Sequence, residues 1–239
     1  MAEQLEIAAA LLEKIKTYDW GQNRAALTEA EDAIKKTYGK KDEMAKMEKS
    51  LLSVLELPDA TRAGKDFICR QLSVIGTEQS VPVMAKMLTQ DEYSDMARYA
   101  LERIPGSAVE KALRDTLPAA SGRAKVGIIN SLGQRSDTKA VDALSKLLGD
   151  SDETVAVAAA AALGRIADEQ ATKVLAGAKD KTSGKVKVRI MDSYILCADR
   201  LVAEGKKTQA LAIYKELQEK EMPKTIRAAA AKSMITAMK

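Results

Sequence analysis

Apolar residues recur every three or four positions along most of this chain, the period of an α-helix with one face turned inward. One set of such stretches ends in a leucine or methionine followed by turn residues: "DFICRQLSVIG" at Leu72, "DMARYALERIPG" at Leu101, "KVGIINSLGQRSD" at Leu132, "VAVAAAAALGRIAD" at Leu163, "VRIMDSYILCAD" at Leu196 and "IRAAAAKSMIT" at Met234. A second set lies between them: "VPVMAKMLT", "VEKALRDTL", "AVDALSKLLGD", "ATKVLAGAK" and "QALAIYKELQ". Short polar segments such as "GTEQS", "GDSDET" and "KTSGK" separate the two sets and carry turn and cap residues. Ahead of them, helices are predicted at about 3–17, 25–37 and 42–56, the first two joined by the turn "YDWGQNR".

The spacing of the leucines matters more than any single helix. Leu72, Leu101, Leu132 and Leu163 follow one another at 29, 31 and 31 residues, and Leu196 and Met234 follow at longer intervals. A helix pair reiterated at such a period predicts an all-α fold, an α-solenoid of stacked antiparallel helix pairs. Three segments are expected: a helical cap and first helices at 1–58, regular repeats at 59–183, and longer, irregular helix pairs at 184–239. The run Ala156–Ala162 holds nothing larger than valine. Such a helix is useful only where a neighbour comes very close, so it marks the tightest layer of the stack.

Counting back from each leucine, positions 0, −1, −4, −5 and −8 share the core side of the second helix. Columns −2, −3 and −6 form the opposite face, which is expected to see solvent. On the repeats ending at Leu72 and Leu101 that face is polar: Asp66, Cys69 and Arg70, then Asp95, Arg98 and Tyr99. The next three repeats place Val126, Ile129 and Asn130, then Val157, Ala160 and Ala161, then Ile190, Ser193 and Tyr194 there. Three readings fit this apolar run: a partner-binding groove, a face buried by curvature, by an extra N-terminal helix or by a one-residue error of phase, or a self-association surface. On the groove reading the contact residues are Arg98, Tyr99, Val126, Ile129, Asn130, Val157, Ala161, Ile190 and Tyr194. Column −7 holds Lys65, Ser94, Lys125, Ala156, Arg189 and Arg227, four of the six basic, suited to a ladder of ion pairs with acidic turns or to anion binding. Asp192 breaks the core pattern of its helix and needs a polar partner. Trp20 either caps one end of the stack or stacks on a ligand.

Composition narrows the function. Aromatic residues are 3% of the 239, too few for a β-sandwich or barrel. A net charge of +4 argues against nucleic acid as a partner. There is no histidine, which removes the commonest general base and transition-metal ligand. Cys69 and Cys197, in apolar helical surroundings far apart in sequence, read as buried free thiols rather than a disulfide. No stretch has the apolar length of a membrane span, and the acidic N-terminus does not read as an export signal. The expectation is a cytoplasmic protein, or an extracytoplasmic one from which a leader has been removed.

The segment "GDSDETVAVAAAAALGRIAD" resembles HEAT-like repeats, particularly the short class found in phycobilisome lyases, through its acidic turn, small-residue helix and Leu-Gly ending. The resemblance is most specific over residues 120–178. The stretch from "YDWGQNRAALTEAEDAI" to "MARYALERIPG" is also similar to the helical-repeat region of large exported bacterial proteins that carry cytochrome c-like or 3-keto-disaccharide hydrolase domains. Enzymes are known among HEAT-like folds, but the diiron hydroxylases of hypusine synthesis need repeated His-Glu pairs, and alkyl-base glycosylases need a basic, aromatic-lined groove. Acidic pairs such as Asp150/Asp152/Glu153 sit at helix starts, where they cap amides. The expectation is therefore a non-catalytic scaffold with no cofactor and no metal, binding a protein or peptide on its concave face. Two alternatives stand beside it: an accessory repeat region of a larger exported sugar-processing or redox enzyme, and a damaged-base nucleic-acid binder. The last helix runs to Lys239 without a polar capping repeat, so further domains of a parent chain, or a partner over 226–238, are expected to cover it.

Overall fold

The computed structural model describes residues 9–238, and these are helical with no strand among them. In chain order the helices are α1 (Ala9–Thr17), α2 (Ala25–Lys35), α3 (Lys41–Leu55), α4 (Arg62–Ile75), α5 (Val81–Ala85), α6 (Ser94–Leu101), α7 (Ser107–Thr116), α8 (Gly122–Gln134), α9 (Val141–Lys146), α10 (Glu153–Ile166), α11 (Glu169–Ala178), α12 (Gly184–Ala203), α13 (Lys207–Glu216) and α14 (Lys224–Met238). The start expected for the first helix, residues 3–8, lies outside the described residues. The fold class is an all-α solenoid of helix pairs. Two compact units divide the chain, Met1–Gly127 and Ile128–Lys239, with the boundary inside α8.

In the first unit α3 packs on α4 and α5 on α6, and α4 packs on α6 while α5 packs on α7. First helices thus stack on first helices and second on second, the arrangement that buries a continuous core between thin layers. Its centre is formed by Ile68, Leu72, Ala97 and Leu101, all fully buried. Thr61 starts α4 by accepting a hydrogen bond from Gly64 N–H, while its own hydroxyl donates to the carbonyl of Tyr18 at the end of α1. Cys69 is buried and free, and burial pushes its thiol up to about 12.

The second unit repeats the pattern: α9 packs on α10 and α11 on α12, while α9 packs on α11, α10 on α12, and α12 on α14. Within α10, Ala156, Ala158, Ala159, Ala160 and Ala162 are all buried, as a tightest layer requires. The close approach has a definite seat. A Cβ built on Gly133 would lie 2.7 Å from Ala162 Cα, and one built on Gly164 would lie 2.6 Å from Ser193 Cβ. Each glycine directly follows the leucine of its repeat, and the residue it meets precedes the equivalent position of the next repeat.

That contact corrects the alignment of α12. If Ser193 is equivalent to Ala162, then Tyr194, not Leu196, occupies the leucine column, 31 residues after Leu163. Burial agrees: Tyr194 is 6% exposed and Leu196 47%. Ile190 is then a core residue, and Val188, Asp192 and Leu196 form the outward row. The small residues Ala100, Ser131, Ala162 and Ser193, each just before the column, are all fully or almost fully buried.

Two further expectations are revised. Trp20 does not close the end of a stack: it is 54% exposed, with the Arg62 guanidinium 5.2 Å from its ring centre. The stretches "VPVMAKMLT" and "AVDALSKLLGD" are not single long helices. The five-residue α5 follows the 3-10 turn Glu78–Ser80, with Pro82 in its first turn, and the six-residue α9 lies between the 3-10 turns Thr138–Ala140 and Leu147–Gly149.

Candidate functional site

The outward rows of the second helices are where side chains are free to meet another molecule. In the first unit this face is polar and aromatic. Arg70 pairs with Asp66 at 2.8 Å on α4. On α6, Tyr99 is 38% exposed, and two guanidiniums lie against its ring, Arg70 at 5.3 Å and Arg103 at 3.8 Å from the ring centre. Arg98, expected to orient a ligand, is instead mostly covered: it pairs with Asp95 and Glu102 and lies over the backbone of Gly127. It fills the space that a side chain at 127 would take. Val126 is half-buried on α8. Lys65, expected in a ladder of ion pairs, is buried with its ammonium 4.8 Å from the centre of the Tyr93 ring.

In the second unit the expected contact residues separate into two groups. Ile129 and Ile190 are fully buried and Tyr194 nearly so; they belong to the core and line no surface. For Ile190 and Tyr194 the reason is the two-residue shift of α12. For Ile129 it is that column −3 faces the neighbouring helices: Cys69, Ala160 and Met191 are likewise buried. Asn130, Val157 and Ala161 keep partial exposure, and to these the structure adds Val188 and Leu196, 37% and 47% exposed. Asp192 lies half-buried in the same row. Burial raises its carboxyl pKa, partly opposed by the nearby Arg189, and it makes no hydrogen bond or ion pair among the described residues. The hydrogen bond expected from a turn is therefore missing, and the basic neighbour Arg189 acts on it only through its charge.

Tyr194 has a different task. Its hydroxyl donates to Glu216 Oε2 at 3.4 Å, and Glu216 Oε1 stands 2.9 Å from Lys179 Nζ, which also pairs with Asp180 at 2.6 Å. Burial, then the adjacent Glu216 charge, pushes the phenol up to about 12, while the hydrogen bonds to Asp180 and Glu216 hold Lys179 charged. This cluster ties the end of α11 to α12 and α13. Cys197 is buried and free, its thiol pushed up to about 11 by burial, so neither cysteine is an activated nucleophile.

A cleft of about 770 Å³ opens in the second unit between α11 and α13, floored by Ala167, Leu201, Ala212 and Ile213. α12, the helix that connects these two, has 20 residues against 14 in α10. The rim charges of the cleft are satisfied internally, Glu169 by Lys173 and Glu204 by Lys206. No group of three or more His, Cys, Asp or Glu side chains placed to hold a metal occurs among the described residues, and no helix among them is long and apolar enough to cross a membrane.

Residues 110–191 match the family model for HEAT repeats. No curated protein matches the chain. Among solved structures, the chain is similar to an engineered protein at 17% identity and TM-score 0.49, covering 96% of this chain and 68% of that one. It is also similar to a designed armadillo repeat protein in complex with the peptide (KR)4, at 15% identity and TM-score 0.35, covering 96% and 98%. Human deoxyhypusine hydroxylase in complex with glycerol matches at 14% identity and TM-score 0.39, covering 96% and 95%. Residues 110–191 are thus similar to HEAT repeats, and the pairwise stacking of helices makes the fold an all-α solenoid.

Proposed function

We propose that the chain is a non-catalytic repeat scaffold that binds a protein or peptide on the outward face of its second helices. The observation that carries this reading is the apolar strip of the second unit. Val188 and Leu196 stand exposed on α12, in one row with Asp192, and Val157 and Ala161 are partly exposed on α10, which packs against it. Exposed apolar residues clustered on a rigid surface favour a partner that covers them. The backbone beneath is fixed by the tight α10–α12 layer, so little ordering is required on binding. An amphipathic helix or extended segment would bury its apolar side here, with Asn130 and Asp192 supplying polar contacts.

The test is fluorescence anisotropy with a panel of labelled amphipathic and extended peptides. Some members are expected to bind with micromolar affinity, and Leu196→Glu, at an exposed position that leaves the core intact, should weaken them about tenfold or more. Failure of every peptide to bind, or binding indifferent to Leu196→Glu, would overturn the proposal.

A further inference from the structure

The first unit carries a feature that an apolar docking strip does not explain. Arg103 is exposed, yet its guanidinium is held in place twice: its carbon lies 3.8 Å from the Tyr99 ring centre, and Nη1 donates to the Tyr99 carbonyl at 2.6 Å. Neighbouring arginines on this face have carboxylate partners, Arg70 with Asp66, Arg98 with Asp95 and Glu102, and Arg123 with Asp95. Among the described residues Arg103 has none. Its remaining N–H donors are thus fixed in orientation and turned to solvent. Val74, 61% exposed, occupies on α4 the position that Arg103 holds in the next repeat, two residues past the leucine column. Since α4 packs on α6, an exposed valine, a half-exposed tyrosine ring and an uncommitted guanidinium share one face.

From this juxtaposition we infer that the Tyr99–Arg103 pair is a docking site for an acidic peptide segment, one that places an Asp or Glu carboxylate on the Arg103 fork and an adjacent apolar side chain on Val74 and Tyr99. The inference rests on the reading of the second-helix face as a docking surface and specifies its partner in the first unit. The planar guanidinium matches a carboxylate in a bidentate pair, which a lysine cannot reproduce. Holding the arginine against an aromatic ring removes side-chain freedom before the partner arrives. The Arg70 guanidinium on the same ring adds to the positive potential, although its own fork is engaged by Asp66. The binding step is non-covalent.

Two labelled peptides of equal length, one centred on Leu-Glu-Leu and the other on Leu-Gln-Leu, separate this inference from the reading beneath it. The glutamate peptide should bind about tenfold tighter, an advantage that shrinks as salt is raised. Arg103→Gln should abolish the difference without changing affinity for the glutamine peptide. Arg103→Lys should restore only part of it, and Tyr99→Ala, which releases the arginine, should reduce it in a chain whose circular dichroism is unchanged. Equal affinity for the two peptides would overturn the acidic-segment inference and leave the docking surface standing. Binding of neither would overturn both. Tighter binding of a single-stranded oligouridylate than of the glutamate peptide would replace the peptide partner by RNA and likewise overturn it.

Discussion

Gly164→Ala is expected to destabilise the second unit by about 1–3 kcal/mol, although alanine is the better helix former by about 1 kcal/mol. The sign is set by the neighbour. The new Cβ would stand 2.6 Å from Ser193 Cβ and 2.9 Å from Ser193 Cα, and a backbone atom cannot swing aside as the end of a long side chain can. Overpacking must therefore outweigh propensity, and α10 and α12 must separate. Gly133→Ala, directed at Ala162 Cα, should behave alike. Gly177 supplies the control. It lies in α11 with nothing within 4 Å of a new Cβ, so Gly177→Ala should stabilise by roughly 1 kcal/mol. Chemical denaturation followed by far-UV circular dichroism measures all three; stabilisation at 164 as large as at 177 would mean the layer is looser than described.

Glu48→Ala is expected to cost about 3 kcal/mol or more. Glu48 is a charged residue at 1% exposure on α3, with its carboxylate reaching the turn that opens the next helix pair. It accepts hydrogen bonds from Thr77 N–H at 2.7 Å, from the Thr77 hydroxyl at 3.0 Å and from the Ser80 hydroxyl at 2.5 Å. Alanine leaves the buried Ser80 hydroxyl and the Thr77 N–H without their acceptor, and burial keeps water from replacing it. Glu48→Gln retains one carbonyl oxygen but turns an amide N–H₂ toward donors, so it should recover only part of the loss. The same denaturation experiment, with hydrogen exchange at Thr77, reports the effect; a loss below about 1 kcal/mol for Glu48→Ala would show that the carboxylate is not the clasp between these pairs.

These two sites also mark how far the sequence could be read. Helix boundaries were legible because apolar spacing and cap residues coincide, as at Asp152 before α10 and Asp168 before α11, each accepting a bond from a first-turn N–H. The 31-residue period was legible because a large apolar residue must recur at the seam of each layer. Glu48 was not singled out, although a signal existed: it sits in the apolar row Met47, Leu51, Val54 and Leu55, where an unpaired carboxylate could not remain. The register of α12 was hidden for the opposite reason. Ile190, Met191, Tyr194, Ile195, Leu196 and Cys197 make the helix apolar nearly all round, so periodicity cannot fix its phase, and Leu196 was the natural but wrong member of the column. Only the seating of Gly164 on Ser193 decides it. Part of the expected binding face moved with that register, from Ile190 and Tyr194 to Val188 and Asp192, and Leu196 left the core column for the surface. The short α5 and α9 escaped because 3-10 turns share the apolar content of the helices they flank.

The outward row of α12 is where fold and function meet, and it is open to one direct measurement. In a chain with Cys69 and Cys197 replaced by alanine, single cysteines at 188, 192, 196, 190 and 194 can be labelled with a maleimide under native conditions. Val188→Cys and Leu196→Cys should react within about tenfold of an unstructured thiol and the half-buried Asp192→Cys more slowly, while Ile190→Cys and Tyr194→Cys should be protected at least about a hundredfold. Rapid labelling at 190 and 194 with protection at 196 would contradict the 31-residue register and remove the docking strip with it.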